Sequence, residues 1–156
     1  MMPAKLKNYS TTIPAERSIS EIQGILVKFG AKSIMLDTQD KRVTEIKFLY
    51  QIDDTLLPFK LPVNIENTTE FLWKEYRKSS SRGRKTRDDF YDEAERISWR
   101  IARDWVHAQV SLLAIEAVEL IDIFAGYLMT NTETGETIAD KIKSGDFKKM
   151  LPKHEG

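Results

Sequence analysis

Apolar and polar positions change period several times along the chain, and each change marks an element. Residues 8–13 (Asn8-Tyr9-Ser10-Thr11-Thr12-Ile13) alternate and are rich in β formers, which predicts a short strand ended by Pro14. Ser18-Ile19-Ser20-Glu21 has the form of a capping box. It predicts a helix to about Phe29, with Ile19, Ile22, Leu26 and Phe29 on one face and Gly30 as its stop. Three strand-like runs follow. Residues 32–37 alternate through Ile34 and Leu36, and residues 43–52 set Ile46, Phe48 and Tyr50 against Glu45, Lys47 and Gln51. Residues 56–63 contain Pro58 and Pro62, which cannot donate ladder hydrogen bonds, so this run belongs at a sheet edge. Residues 38–41 and Asp53-Asp54 supply the turns.

The period then becomes helical. Asn67-Thr68-Thr69-Glu70 is a start signal for a helix to about Lys78, with Phe71, Leu72 and Tyr76 on its apolar face. After a Ser/Arg/Gly segment, Thr86 with Asp88 and Asp89 opens the longest helical pattern. No Gly or Pro interrupts residues 84–125, and Phe90, Ala94, Ile97, Ile101, Trp105, Ala108, Leu112 and Ile115 recur at spacings of three and four. The helical region is expected to end at Gly126 or at a bend before it, followed by a turn at residues 132–135 and a short helix over 138–143. The order β-α-β-β-β-α predicts an α+β fold: a small antiparallel sheet with a long C-terminal helical segment packed on or beside it. Residues 1–145 are expected to form one domain carrying a mobile basic loop at 79–86, followed by a loose tail at 146–156. The αβββα core resembles double-stranded-RNA-binding domains in element order alone; none of the motif residues that carry their function is present.

Charge changes the picture more than composition does. The 24 Lys and Arg balance 24 Asp and Glu, yet they are sorted along the chain. Lys74, Arg77, Lys78, Arg82, Arg84, Lys85, Arg87, Arg96, Arg100 and Arg103 crowd one stretch, and no Lys or Arg occurs from Asp104 to Asp140. Between Lys74 and Arg87 seven cations face one acid, Glu75. Such clustering is the footprint of an anionic partner, most often nucleic acid. Its bland alternative is a solvated connector whose charges serve solubility. Lys74, Tyr76, Arg77, Lys78, Arg82, Arg84, Lys85 and Arg87 are the candidate contacts, with Tyr76 able to stack on a base. Arg96, Arg100, Arg103 and His107 fall on one helical face, so Arg96 and Arg103 are candidates to extend the track. The competing account is ion pairing along the helix, with Asp92–Arg96 and Arg100–Asp104 both at i,i+4, and it is the favoured one for Arg100. Trp99 and Trp105 are expected in the core, and Trp73 fits either core or a stacking platform. No helix-turn-helix or zinc-finger pattern is present, so a single strand of DNA or RNA, bound without sequence preference, is the expected partner.

Other chemistry finds little support. Glu116, Glu119 and Asp122 share a helical face on this reading, but a solvated face explains them better than a metal site. Asp37, Asp40, Asp53 and Asp54 fit turn chemistry, and His107 and His154 lack ligand spacing. There is no P-loop, dinucleotide fingerprint or nucleophile motif, so no enzyme activity and no cofactor are expected. The absence of Cys excludes thiolate metal sites and fits a reducing cytoplasm, and the N-terminus lacks an apolar signal core. Residues 106–129 are too interrupted by carboxylates for a membrane span, yet apolar on more than one face. That pattern points to burial against a second copy, most simply in a homodimer, or to docking of a protein partner, with a wholly intramolecular core as the competing account.

Four short patches carry a resemblance: Ser20-Glu21-Ile22-Gln23, Phe29-Gly30-Ala31, Phe59-Lys60-Leu61-Pro62, and Trp99-Arg100-Ile101 with Asp104-Trp105 and Ala108-Gln109. Together they resemble a group of small, uncharacterised proteins encoded by bacteriophages and prophages. The resemblance implies a cytoplasmic accessory protein of the kind that serves DNA replication or recombination, or that inhibits or adapts a host protein. It assigns no chemistry, and the Ser/Arg/Gly loop lies outside the shared pattern.

Overall fold

A computed structural model describes residues 6–79, 83–145, 148 and 151–153. Arg82, at the centre of the predicted basic loop, and much of the predicted tail, including His154, lie outside the described residues. The fold is α+β, as the element pattern predicts. Strands β1 (Ser33–Gln39), β2 (Arg42–Ile52) and β3 (Thr55–Lys60) form an antiparallel sheet in that order. The β1–β2 turn places Asp40 and Lys41 both at positive φ, 51° and 65°, the two-residue geometry that matches strand twist. Ile34 faces Phe48, Leu36 faces Ile46, and Phe48 faces Phe59, so one face of the sheet is continuously apolar. Pro58 sits in edge strand β3, where its missing N–H costs no ladder bond.

Helix α1 (Ala15–Lys28) and the long helix α3 (Tyr91–Ala114) pack together, and α2 (Ile65–Lys78) packs on another side of α3. A short helix α4 (Leu120–Phe124) inserts Phe124 against Phe48 and Phe59, with ring centroids 5.5 and 6.0 Å away, and Trp105 meets Phe124 edge-on at 5.6 Å. Hairpin β4 (Met129–Asn131) and β5 (Glu136–Thr137) continues beside β3 through a bridge from Leu128 to Phe59, and α5 (Ile138–Ser144) follows. Ile22, Ile46, Phe59, Ile97, Trp99 and Val106 are fully buried. Trp99 is thus core, although its indole Nε1 has no hydrogen-bond partner. Among the described residues, no helix is long and apolar enough to cross a membrane.

Several predicted elements are corrected. The strand over 8–13 is a turn: Asn8 takes a left-handed φ of 61°, its carbonyl accepts from the Thr11 N–H, and its side chain donates to Asp104 at 3.0 Å. The segment is therefore tied to α3 instead of to a strand. Ser18 does not cap α1. The helix starts one turn earlier, after Pro14, because Ala15, Ser18, Ile19, Ile22 and Leu26 form a single buried face. Helix α2 likewise starts at Ile65, capped by the Asn64 side chain, which accepts from the Asn67 N–H at 2.9 Å. Thr69, expected in the cap, is buried mid-helix with its hydroxyl donating to the Ile65 carbonyl.

The long C-terminal helix is also broken. After the cap at Thr86, whose N–H donates to Asp89 at 2.7 Å, a 3-10 turn over Arg87–Phe90 leads into α3. Helix α3 stops at Ala114 because Glu116 adopts φ 58° and the Glu116 and Ala117 N–H groups return to the Leu113 and Leu112 carbonyls. This is a left-handed helix stop normally built with glycine, which is why no sequence breaker announced it. The predicted stripe holds only through Ile97. Beyond it the buried residues are Ser98, Trp99, Ala102 and Val106, while Ile115 is 73% exposed. Contact with both α1 and α2 widens the buried face of α3 past a single three-and-four stripe.

Candidate functional site

The sequence places Trp73, Tyr76 and Arg77 at i, i+3 and i+4 of α2, so the three share one helical face. Trp73 and Tyr76 stack with centroids 5.8 Å apart, and both lean on Phe90, at 6.3 and 5.2 Å, from the 3-10 turn before α3. The Arg77 guanidinium lies over the indole, 5.8 Å from its centroid, and the Lys85 ammonium lies 5.4 Å from the Phe90 centroid. Each such cation–ring contact contributes roughly 0.5–1 kcal/mol at an exposed site. The descending chain closes the far wall: the Lys85 N–H donates to the Tyr76 hydroxyl at 3.4 Å. A Cβ at Gly83 would stand 3.0 Å from that oxygen, so a larger residue there would have to shift the Tyr76 hydroxyl. The result is an open groove of about 470 Å³ lined by Trp73, Lys74, Tyr76, Arg77, Lys78, Gly83 and Lys85.

Its charge is poorly compensated. Lys74 and Lys78 are 65% and 71% exposed, and their only ion-pair partners among the described residues are Glu70 at 4.0 Å and Glu75 at 3.5 Å. Glu70 is held more closely by Arg87, at 2.8 Å, and that hydrogen bond first, then the Arg87 charge, keeps its carboxyl below the usual range. Arg84 is exposed and makes no ion pair with a described residue. Loosely held surface pairs of this kind contribute about 0–1 kcal/mol, so the groove's ammonium groups are available to an anion.

The structure thus brings Lys74, Tyr76, Arg77, Lys78 and Lys85 together and puts Arg84 beside them. It commits the other predicted contacts elsewhere. Arg87 bridges Glu66 at 2.9 Å and Glu70 at 2.8 Å, fastening the 3-10 turn to α2. Arg103 and Arg100 point to α1, meeting Glu21 at 3.0 and 2.7 Å, and Arg103 also meets Asp104 at 3.3 Å. The anticipated Arg100–Asp104 and Asp92–Arg96 pairs are replaced by cross-element ones, Asp92 joining Arg42 at 2.6 Å. Arg96 lines a separate cleft with Pro14, Glu16, Asp92 and Glu95, its Nε buried without a partner. No basic stripe along α3 continues the groove.

The carboxylates behave as structure. Burial pushes Glu21 and Asp104 up, but hydrogen bonds and charge from Arg100 and Arg103, and from Asn8, Lys7 and Arg103, bring both below their ordinary values. The hydrogen bond from Lys47 lowers Asp37. Glu95 moves the other way, raised by burial that the Arg42 charge only partly offsets. Glu116, Glu119 and Asp122 do not share a helix face: Glu116 is in the left-handed stop, and Asp122 accepts from the Glu119 N–H at 2.8 Å to start α4. Among the described residues, no three His, Asp or Glu side chains are placed to hold a metal ion.

Trp73 at the groove centre is the residue that sequence reasoning left undecided; its spacing to Tyr76 and Arg77 was the available signal. Comparisons with known proteins add no assignment, since no family model, curated protein or solved structure matches the chain.

Proposed function

We propose that this is a phage-type accessory protein that binds single-stranded DNA or RNA, without sequence preference, in the groove at the C-terminal end of α2. One observation carries the reading: four cations, Lys74, Arg77, Lys78 and Lys85, surround a partly exposed aromatic pair, and among the described residues only two carboxylates weakly oppose them. A backbone-tracking set of cations beside a stacking surface is the general solution for binding a single strand. Arg84 extends the set, while Arg87 and Arg103 have structural roles in this account and Arg96 lies in a separate cleft. Fluorescence anisotropy with single-stranded and duplex oligonucleotides across a salt series tests it. Binding should weaken linearly in log salt. No binding at low salt overturns the reading.

A second reading, a protein-docking or self-associating module working through the C-terminal segment, is favoured by one observation. Leu112, Ile115 and Ile121 are 39%, 73% and 36% exposed around the α3–α4 corner, where Glu116 and Glu119 supply negative charge. Sedimentation equilibrium of the chain and of Ile115→Lys tests it: a homodimer that the substitution dissolves supports this reading, and a monomer at all concentrations removes the homodimer.

A further inference from the structure

Resting on the nucleic-acid reading of the groove, we propose that the site is a one-nucleotide slot. An unpaired base stacks on Trp73, and the flanking phosphates meet Lys74, Lys78 and Lys85. Tyr76, the stacking residue that sequence reasoning nominated, is already engaged. Its ring lies between Trp73 and Phe90, and its hydroxyl is covered by the Gly83–Lys85 backbone. Trp73 and Tyr76 are both half-buried and both line the groove, but one of the contacts of Trp73 is the side chain of exposed Arg77. A guanidinium is planar and stacks on indole much as a base does, and it is free to swing to a phosphate when a base arrives. Arg77 is thus a placeholder on the ring, and Tyr76 and Phe90 are the backing that holds the indole upright.

The groove's size suits the proposal. At about 470 Å³ it falls in the roughly 300–1,000 Å³ range of small-ligand sites, room for one nucleotide. Gly83 stands close to the Tyr76 hydroxyl on one wall. A base inside a duplex offers its face to its neighbours, so the preference for single strands originates at Trp73 and not at the lysines. The lysines bind a phosphate backbone of either form.

The test uses three probes of equal length at moderate salt: an oligothymidylate, a strand of abasic sugar-phosphates, and a duplex. The wild-type chain should bind the oligothymidylate roughly 5- to 150-fold more tightly than the abasic strand, the range expected for one stacked base. Trp73→Leu should lose that preference while keeping the abasic affinity, and Trp73→Phe should retain most of it. Circular dichroism confirms that each variant is folded. Equal wild-type affinity for thymidylate and abasic strands overturns the slot and leaves the nucleic-acid reading standing. A preference that survives in folded Trp73→Leu does the same. Failure of the wild-type chain to bind any of the three overturns both.

Discussion

Two helix faces in this molecule carry arginine beside aromatic or apolar side chains, and they have opposite fates. At the seam between α1 and α3, Arg100 and Arg103 converge on Glu21, and Asp104 adds a second carboxylate that also takes Lys7 and Asn8. The Arg100 and Arg103 side chains are 14% and 25% exposed, so their charges are consumed where they stand. At the end of α2, the cations keep their heads in solvent, and the most committed of them, Arg77, rests on a ring instead of on an acid. Clustering of charge in a sequence therefore does not locate a binding surface by itself. What separates the two regions is whether an element distant in sequence delivers the carboxylate. Helix α1 brings Glu21 to one, and among the described residues nothing equivalent reaches the other.

The comparison predicts that seam substitutions move stability and leave binding alone, and that groove substitutions do the reverse. The largest effect is expected behind the seam. Trp99→Ala, at a site with no exposure, should lower unfolding free energy by about 3–5 kcal/mol in urea denaturation. At the seam itself, Arg100→Ala removes a charge-assisted hydrogen bond of 2.7 Å from a partly buried carboxylate, and should cost about 1.5–3 kcal/mol with oligonucleotide affinity unchanged. In the groove, joint replacement of Lys74, Lys78 and Lys85 by Ala should lower stability by only about 0.5–1 kcal/mol, mostly through loss of the Lys85–Phe90 contact. The same variant should flatten the slope of log affinity against log salt by about 2, near 0.7 for each lost phosphate contact on a single strand.

Acid sharpens the contrast further. Glu21 has a folded pKa below its ordinary 4.5, so the folded chain holds that proton less tightly than the unfolded chain. Its stabilising contribution is complete above about pH 4.5 and is lost as pH falls through the folded value. Glu95 is raised by burial, so its contribution has the other sign: present below 4.5 and lost as pH rises through its folded value. Thermal melts between pH 3 and 7 should show that Glu21→Gln flattens the acid loss of stability, while Glu95→Gln does not lower stability at pH 7. The smallest effect lies outside both regions. Glu116→Gly relieves a left-handed residue at the end of α3 and should stabilise by about 0.5–1 kcal/mol without touching binding.

The sheet was legible because its signals are local. Alternation through Ile46, Phe48 and Tyr50 and the two Asp-containing turns fix three antiparallel strands, and Pro58 marks the edge. Helix starts were misplaced by a turn in α1 and α2 because burial of Ala15 and Ile65, settled by tertiary packing, outweighed the nearest capping pattern. The break after α3 was invisible because a glutamate occupies the position that glycine usually announces. The site was legible in half. Cations within α2 and just after it, Lys74, Arg77, Lys78 and Lys85, are near in sequence and stay near in space. The fate of Arg87 and Arg103 depended on Glu66, Glu70 and Glu21 arriving from other elements, and no spacing along α3 encodes that.

The most direct measurement is anisotropy of a labelled single strand titrated with the wild-type chain and with the Lys74/Lys78/Lys85→Ala variant over a salt series. The account predicts salt-sensitive binding by the wild-type chain and, in the variant, weaker binding with a shallower salt slope and a native circular dichroism spectrum. Equal affinity and equal slope for the two proteins would contradict it.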